Sequence, residues 1–320
     1  MRQALKRREE RAMYKRLELH NHTTESDSSL SCKELLEIME ADRVDAFAIT
    51  DHNTISGHSI IKNLLDSGDY KTKCIYGMEY TTYYGHILCL NLPVYVPWDS
   101  IDFFKPELLF NAARVKGALV GIAHPFSFGA PFAKGCRFEM KVKDFSAVDF
   151  IEVFNNPEPL HEVNEKGLLW WEELTLLGKR LAATCGMDLH GHWDMGNQYA
   201  TYIEGEEDGD IEAELSRAIK SGKTWVSKGM LLVCEYSKEE NYIKLRLFDA
   251  KKSGFIYSED GRYIVSLRGR KGLITKEISE NEEVILSLDD LKGEDIIIPK
   301  LYIKDMDIEN LVCISPVIRL

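Results

Sequence analysis

Short apolar runs alternate with longer amphipathic stretches over roughly the first 190 residues, and most of the runs end in a polar cluster. The runs cover about residues 15–20, 45–50, 74–78, 86–90, 118–123, 149–154 and 180–187. Between them, Ser31-Cys32-Lys33-Glu34 has the pattern of a capping box ahead of Leu35, Leu36, Ile38 and Met39, in which a hydroxyl and a carboxylate each satisfy an orphan N–H at a helix start. Further helices are expected to about Leu65, over 106–116, and over 161–177, where Trp170 and Trp171 sit. Strands alternating with helices predict an α/β fold with a mainly parallel sheet. The run at 86–90 reads as a strand doubling back on 74–79.

After about residue 222 the texture changes. Residues 242–247, 262–267 and 283–288 alternate polar and apolar positions and are separated by short turns, as in a small antiparallel sheet or sandwich. The chain therefore divides into a basic lead-in (1–13), a large α/β unit (14–229) and a smaller β-rich unit (230–320). Arg268-Gly269-Arg270-Lys271 reads as a hairpin tip, and Asp305-Met306-Asp307 lacks the glycine and distal glutamate of a calcium loop.

Composition narrows the class. The 320 residues are 44% hydrophobic and 29% charged with a net charge of −12, which fits a globular chain and argues against general nucleic-acid binding. Seven scattered cysteines without a Cys-x-x-Cys pair fit reduced thiols and a cytoplasmic setting. Met1–Arg16 has no apolar core like that of a secretory signal, and no stretch is long enough to span a membrane.

The candidate chemistry lies at the strand ends. His20 and His22 are two residues apart on an extended segment, so both could grip one ion. Asp51-His52, Glu79, His124-Pro125 and Asp188-Leu189-His190 end four later runs. If the sheet closes into a barrel, these ends converge on one mouth. With Thr82 and Tyr83 as a turn, Glu79 and His86 would face each other directly, near enough to share a metal. Asp51 could orient a ligand histidine or cap the following helix. Lys134 and Arg137, on a long loop, are candidates to clamp phosphate oxygens, against the alternative of plain solvent exposure. His192 is a candidate proton donor to a leaving group, against the alternative of a surface histidine or one that supports a ligand. Glu152 and Asn155 end a strand at the same mouth, where they could bind substrate, Asn155 above all, or support a ligand. His58 and His161, on expected helices, read as structural or exposed, and Glu204–Asp210 as a solvated acidic loop.

Taken in order, His20-x-His22 with Asp27, Thr50-Asp51-His52, Gly77-x-Glu79, His86, His124-Pro125 and Asp188-x-His190 resemble the PHP (polymerase and histidinol phosphatase) superfamily over roughly residues 14–195. The resemblance implies a distorted (β/α)7 barrel with two or three divalent ions, typically zinc, manganese or iron. It implies that His20, His22, Glu79 and Asp188 hold a first metal. Glu79 would bridge to a second metal completed by His86 and His124, and Asp27, His52 and His190 would hold a third. Ile314–Ile318 looks like the ending of PHP hydrolases fused to a β-domain, including a branch acting on carbamate esters.

Imidazoles and carboxylates together suit borderline divalent ions, and a bridged pair of ions lowers the pKa of a shared water from 15.7 toward ~7. The expected activity is hydrolysis of a small phosphorylated substrate, a phosphomonoester or a small nucleotide or oligonucleotide phosphodiester. Glu79, Asp188, His192 and Arg137 would be its catalytic residues. The alternatives are a carboxylic or carbamate ester hydrolase using the same metals, and a metal-stabilised binding module without catalysis. Nothing in the sequence points to a membrane partner, and it leaves the oligomeric state open.

Overall fold

The computed structural model describes residues 13–99, 101–128, 135–155, 162–196, 198–250, 258–291 and 293–320. The lead-in, apart from Met13, thus lies outside the described residues. Strands β1 (Met13–Glu18), β2 (Ala46–Ile49) and β3 (Lys73–Thr82) run parallel, with helices α1 (Cys32–Ala41) and α2 (Ser56–Ser67) in the connections. Strand β4 (Gly85–Leu90) returns antiparallel to β3 and pairs antiparallel with β5 (Leu119–Ile122) after helix α3 (Glu107–Val115). Strands β6 (Phe150–Phe154) and β7 (Ala182–Cys185) continue in parallel from β5, joined by helix α4 (Glu162–Leu176). The capping box at the start of α1 forms as the sequence predicts, with Ser31 and Glu34 each accepting from the other's backbone N–H.

One buried cluster takes Leu17, Ala46, Ile75, Leu88, Leu119, Phe150, Ala182 and Ile203 from eight strands, β1 to β8 (Ala200–Gly205), which therefore wrap around a common interior. Helix α5 (Ile211–Ser221) adds Ile211, Leu215, Ala218 and Ile219 to that cluster, an i, i+4, i+7, i+8 stripe of an amphipathic helix. Asp210 caps its N-terminus, and Gly222, at φ 66°, ends it in the left-handed conformation that glycine adopts without penalty.

The sheet is not closed, so the expected (β/α)7 barrel is corrected to an open mixed sheet. Strand β8 takes the other edge of β1 in antiparallel register, from Met13↔Gly205 to Leu17↔Thr201, and β7 has no further ladder partner among the described residues. Side chains bridge the seam instead. The Thr201 hydroxyl accepts from the Cys185 N–H at 2.9 Å and donates to the Cys185 carbonyl at 3.1 Å, and the Thr224 hydroxyl donates to the Ala183 carbonyl at 2.7 Å. Replacing Thr201 with valine keeps the shape and strands two buried backbone groups. It is expected to cost about 2–3 kcal/mol in urea unfolding; a loss below about 0.5 kcal/mol would show that the seam is held by packing alone.

The C-terminal strands are antiparallel, as their alternation predicts, but they do not form one small separate sheet. Strands β10 (Met230–Ser237), β11 (Tyr242–Asp249) and β14 (Glu283–Ser287) make a three-stranded sheet in the order β10-β11-β14. Strands β12 (Arg262–Arg268), β13 (Leu273–Ser279), β15 (Ile296–Tyr302) and β16 (Leu311–Ile314) extend the main sheet. The join is made by β16 pairing with β9 (Trp225–Ser227), while β17 (Ile318–Arg319) pairs with β15. A ladder therefore runs across the 229/230 boundary drawn from the sequence.

At the Arg268–Lys271 turn, each cation has a local partner. Arg268 pairs with Glu172 of α4, Arg270 donates to the Leu176 carbonyl at the end of α4, and Lys271 donates to the Gly293 carbonyl. The wholly buried Glu172 carboxylate also takes the Lys300 ammonium at 2.6 Å, which ties α4 to β15.

Candidate metal centre

The residues singled out at the strand ends converge. Glu79, wholly buried in β3, is the hub: its Oε1 lies 2.8 Å from His86 Nδ1 and 3.0 Å from His124 Nε2. Its Oε2 lies 2.9 Å from His52 Nδ1, 3.2 Å from His20 Nε2 and 3.4 Å from His22 Nε2. Asp188 Oδ1 is 2.9 Å from His22 Nε2 and 3.4 Å from His20 Nε2. Asp27 Oδ1 is 3.2 Å from His190 Nε2 and 3.5 Å from His52 Nε2.

Among the described residues, three groups have candidate ligand atoms within 4.8 Å of one another: His20, His22, Glu79 and Asp188; His52, Glu79 and His86; and His22, Asp27, His52 and His190. His124 belongs to none of these sets, although its Nε2 lies beside Glu79.

The fit to a metal rests on unsatisfied atoms. His20 Nε2, His22 Nε2, Glu79 Oε2 and Asp188 Oδ1 are buried, face one another and make no hydrogen bond. Buried polar atoms left in that state are costly, and two imidazole nitrogens with two carboxylate oxygens form a common donor set for a divalent ion. The backbone is also strained here, with His124 at φ 24° and Asp188 at φ 50°. Non-glycine residues seldom occupy such angles, and where they do the strain often marks a functional site.

Electrostatics reflect the crowding. Burial disfavours the Glu79 carboxylate, yet the imidazoles of His20 and His86 hold it well below the usual range. Asp188 follows the same pattern, with His20 foremost among the groups opposing burial. Burial pushes His22 down to about 4. For His124 burial is outweighed by the Glu79 and Asp188 carboxylates, which raise it to about 9.

The Glu79–His86 contact arises from a different register than the sequence predicts. The turn is Tyr83-Tyr84, so Glu79 pairs with Leu88 and His86 with Thr81. Glu79 and His86 are diagonal neighbours on one face, still within reach of each other. Asp51 neither orients a ligand histidine nor caps α2, whose N-cap is Ile55 without a side-chain bond. It accepts from the Thr23 N–H and hydroxyl and from the Ser26 hydroxyl, shaping the loop that carries Asp27.

The partner of His20 is Glu152, whose Oε1 is 2.9 Å from Nδ1 and whose Oε2 accepts the His124 N–H at 3.0 Å. A carboxylate oriented on the second nitrogen of a ligand histidine fixes its tautomer and direction. The signal in the sequence is a glutamate inside the otherwise apolar run 150–154. Thr81, which hydrogen-bonds His52 Nδ1, carries no signal of that kind. Buried Asn155 donates to Glu152 Oε2 and Asp188 Oδ2, so its amide positions carboxylates.

The remaining candidates that are described belong to none of the three groups. Arg137 is exposed, its guanidinium 5.5 Å from the centre of the Phe126 ring. His192 is exposed, joins none of the three groups and lies toward Glu34. Lys134 and His161 fall outside the described residues. His58 is half-buried, with Nε2 2.8 Å from the Gly77 carbonyl. No helix is long and apolar enough to cross a membrane among the described residues.

No family model matches the chain. An uncharacterised protein of Methanocaldococcus jannaschii is 27% identical over 190 residues, 59% of this chain and 71% of its own length. An amidohydrolase of Chromobacterium violaceum, solved with bound sulfate and no metal, aligns over 55% of this chain and 87% of its own at 16% identity and a TM-score of 0.39. A two-domain protein of Bacteroides vulgatus containing a predicted PHP-like metal-dependent phosphoesterase superposes over 97% of this chain and 96% of its own, at 14% identity and a TM-score of 0.55. The fold of this chain is therefore similar to that of a protein containing a predicted PHP-like metal-dependent phosphoesterase.

Proposed function

We propose that the chain is a metal-dependent hydrolase of phosphate esters, acting on a phosphomonoester or a small phosphodiester. The observation that carries this reading is the set of four buried, mutually facing atoms without hydrogen bonds on His20, His22, Glu79 and Asp188. In the proposal these four hold one ion. Glu79 is shared with a second position beside His52, His86 and His124, and Asp27, His52 and His190 hold a third. Zinc, manganese and iron all suit such donors. Bound there, divalent ions would lower the pKa of water and neutralise charge on a phosphoryl group.

The chain's own residues do the positioning. Glu152 holds His20 and the His124 backbone in place, and Asn155 ties Glu152 to Asp188. The loop shaped by Asp51 presents Asp27 at the open rim, where its side chain is 58% exposed.

The test is metal content by elemental analysis, with turnover of a generic phosphate ester, on wild type and His20→Ala. Two or three ions per chain with turnover lost in the variant is the expected result. A wild-type chain that binds no metal under replete conditions would sink the proposal. Bound metal without phosphate turnover would redirect the activity to carboxylic or carbamate esters.

The three positions differ in exposure, which leads to a separate expectation. Asp27→Ala should lose about one equivalent of metal, because its group lies at the solvent-exposed rim and the buried group does not use it. Loss of all metal in this variant would show that the positions fill only as a unit.

A further inference from the structure

Behind the strand ends that carry His86 and His124 lies a cavity of about 660 Å³ with aromatic walls. Trp170 is part of its lining, with Phe126, Phe145 and Phe138 packed around the indole at centroid distances of 6.0, 6.1 and 6.3 Å. The Arg137 guanidinium sits 5.5 Å from the Phe126 ring centre and the Lys141 ammonium 5.6 Å from that of Phe103. Neither cation makes an ion pair among the described residues, in a chain whose net charge is −12.

One wall is fixed in place. The backbone N–H groups of Phe138, Glu139 and Lys141 donate to the carbonyls of Pro125, Tyr84 and Phe103. A Cβ on Gly85, next to His86, would come within 2.6 Å of the Phe138 Cα, so this wall packs directly against the strand carrying His86. The cavity offers ring faces for a flat group and carries Arg137 and Lys141 at its edge, with Glu139 also in its lining and no ion pair to either cation among the described residues.

We propose that this cavity is a binding site for a small planar aromatic anion, its ring against Phe126 and Trp170 and its charge met by Arg137 and Lys141. Stacking on fixed rings selects flatness, and the cations can take an anion while keeping their contacts with the ring faces. The site does not depend on hydrolysis, and its occupant need not be the substrate.

The test is calorimetric titration of the full-length protein, as purified, with 1-naphthalenesulfonate, cyclohexanesulfonate and 1-naphthol, none of which is a phosphate ester. Saturable binding of the first, with the other two roughly tenfold weaker or more, is expected. Arg137→Gln, an exposed position, and Phe126→Leu should each weaken the naphthalenesulfonate by about fivefold to tenfold, while His20→Ala should leave it unchanged. Equal binding of the cyclohexane compound, absence of binding, or indifference to both cavity variants would overturn the proposal. Loss of binding in His20→Ala alone would move the ligand to the metal centre and overturn it as well. Loss of ester turnover in His20→Ala with naphthalenesulfonate binding intact would separate this site from the activity proposed above.

Discussion

Glu79→Gln is expected to abolish activity and to remove metal from two of the three ligand groups. Both oxygens of this carboxylate are engaged, one facing His86 and His124 and the other His20, His22 and His52. An amide keeps the volume but presents a donor on one side, and it removes the negative charge that five imidazoles surround. Turnover should fall by at least about a thousandfold, equivalent to roughly 4 kcal/mol of transition-state stabilisation. Elemental analysis should find the Asp27–His52–His190 group as the main remaining position. If Glu79→Gln retained the full metal complement, the carboxylate would be an organiser of the histidines and not a ligand.

The second large effect lies away from the centre. Glu172→Ala is expected to destabilise the fold by about 3–5 kcal/mol, because it leaves the Lys300 ammonium buried without its partner. Arg268, the other partner, is partly exposed and can be solvated, so Lys300 carries most of the loss. The double variant Glu172→Leu with Lys300→Met should recover most of the stability, since well-packed apolar side chains can replace a buried pair at little cost. Urea unfolding of the three proteins checks this. A loss below about 1 kcal/mol for Glu172→Ala would show that Lys300 reaches water.

The candidate cluster was legible because histidines, aspartates and glutamate follow apolar strands where packing alone would not put them. The structure brings His20, His22, Asp27, His52, Glu79, His86, His124, Asp188 and His190 around one centre. Hairpin register was not legible. Tyr83-Tyr84 contains neither the glycine nor the asparagine that usually marks a two-residue turn. Strand β8 was missed because its ladder with β1 joins residues far apart in sequence, and a single chain carries no local trace of such a partner. The same limit hid the merging of the C-terminal strands into the main sheet. Positive φ at His124 and Asp188 gave no warning either, since neither is a glycine. Arg137 is a phosphate-clamp candidate by residue type alone, and its guanidinium lies 5.5 Å from the Phe126 ring centre, a placement that no local sequence pattern announces.

The placement of β1 between β2 and β8 also constrains how the protein is made. Its ladder with β2 can form early, because Leu17 and Ala46 are near in sequence. Its other edge has no partner until Ala200–Gly205 leaves the ribosome. During that interval the nascent chain exposes an open strand edge next to His20 and His22, the sort of edge that invites pairing with another chain. Production should therefore be limited by aggregation of incomplete chains, more than by the finished fold. Slower synthesis or a bound holdase chaperone should then raise the soluble yield.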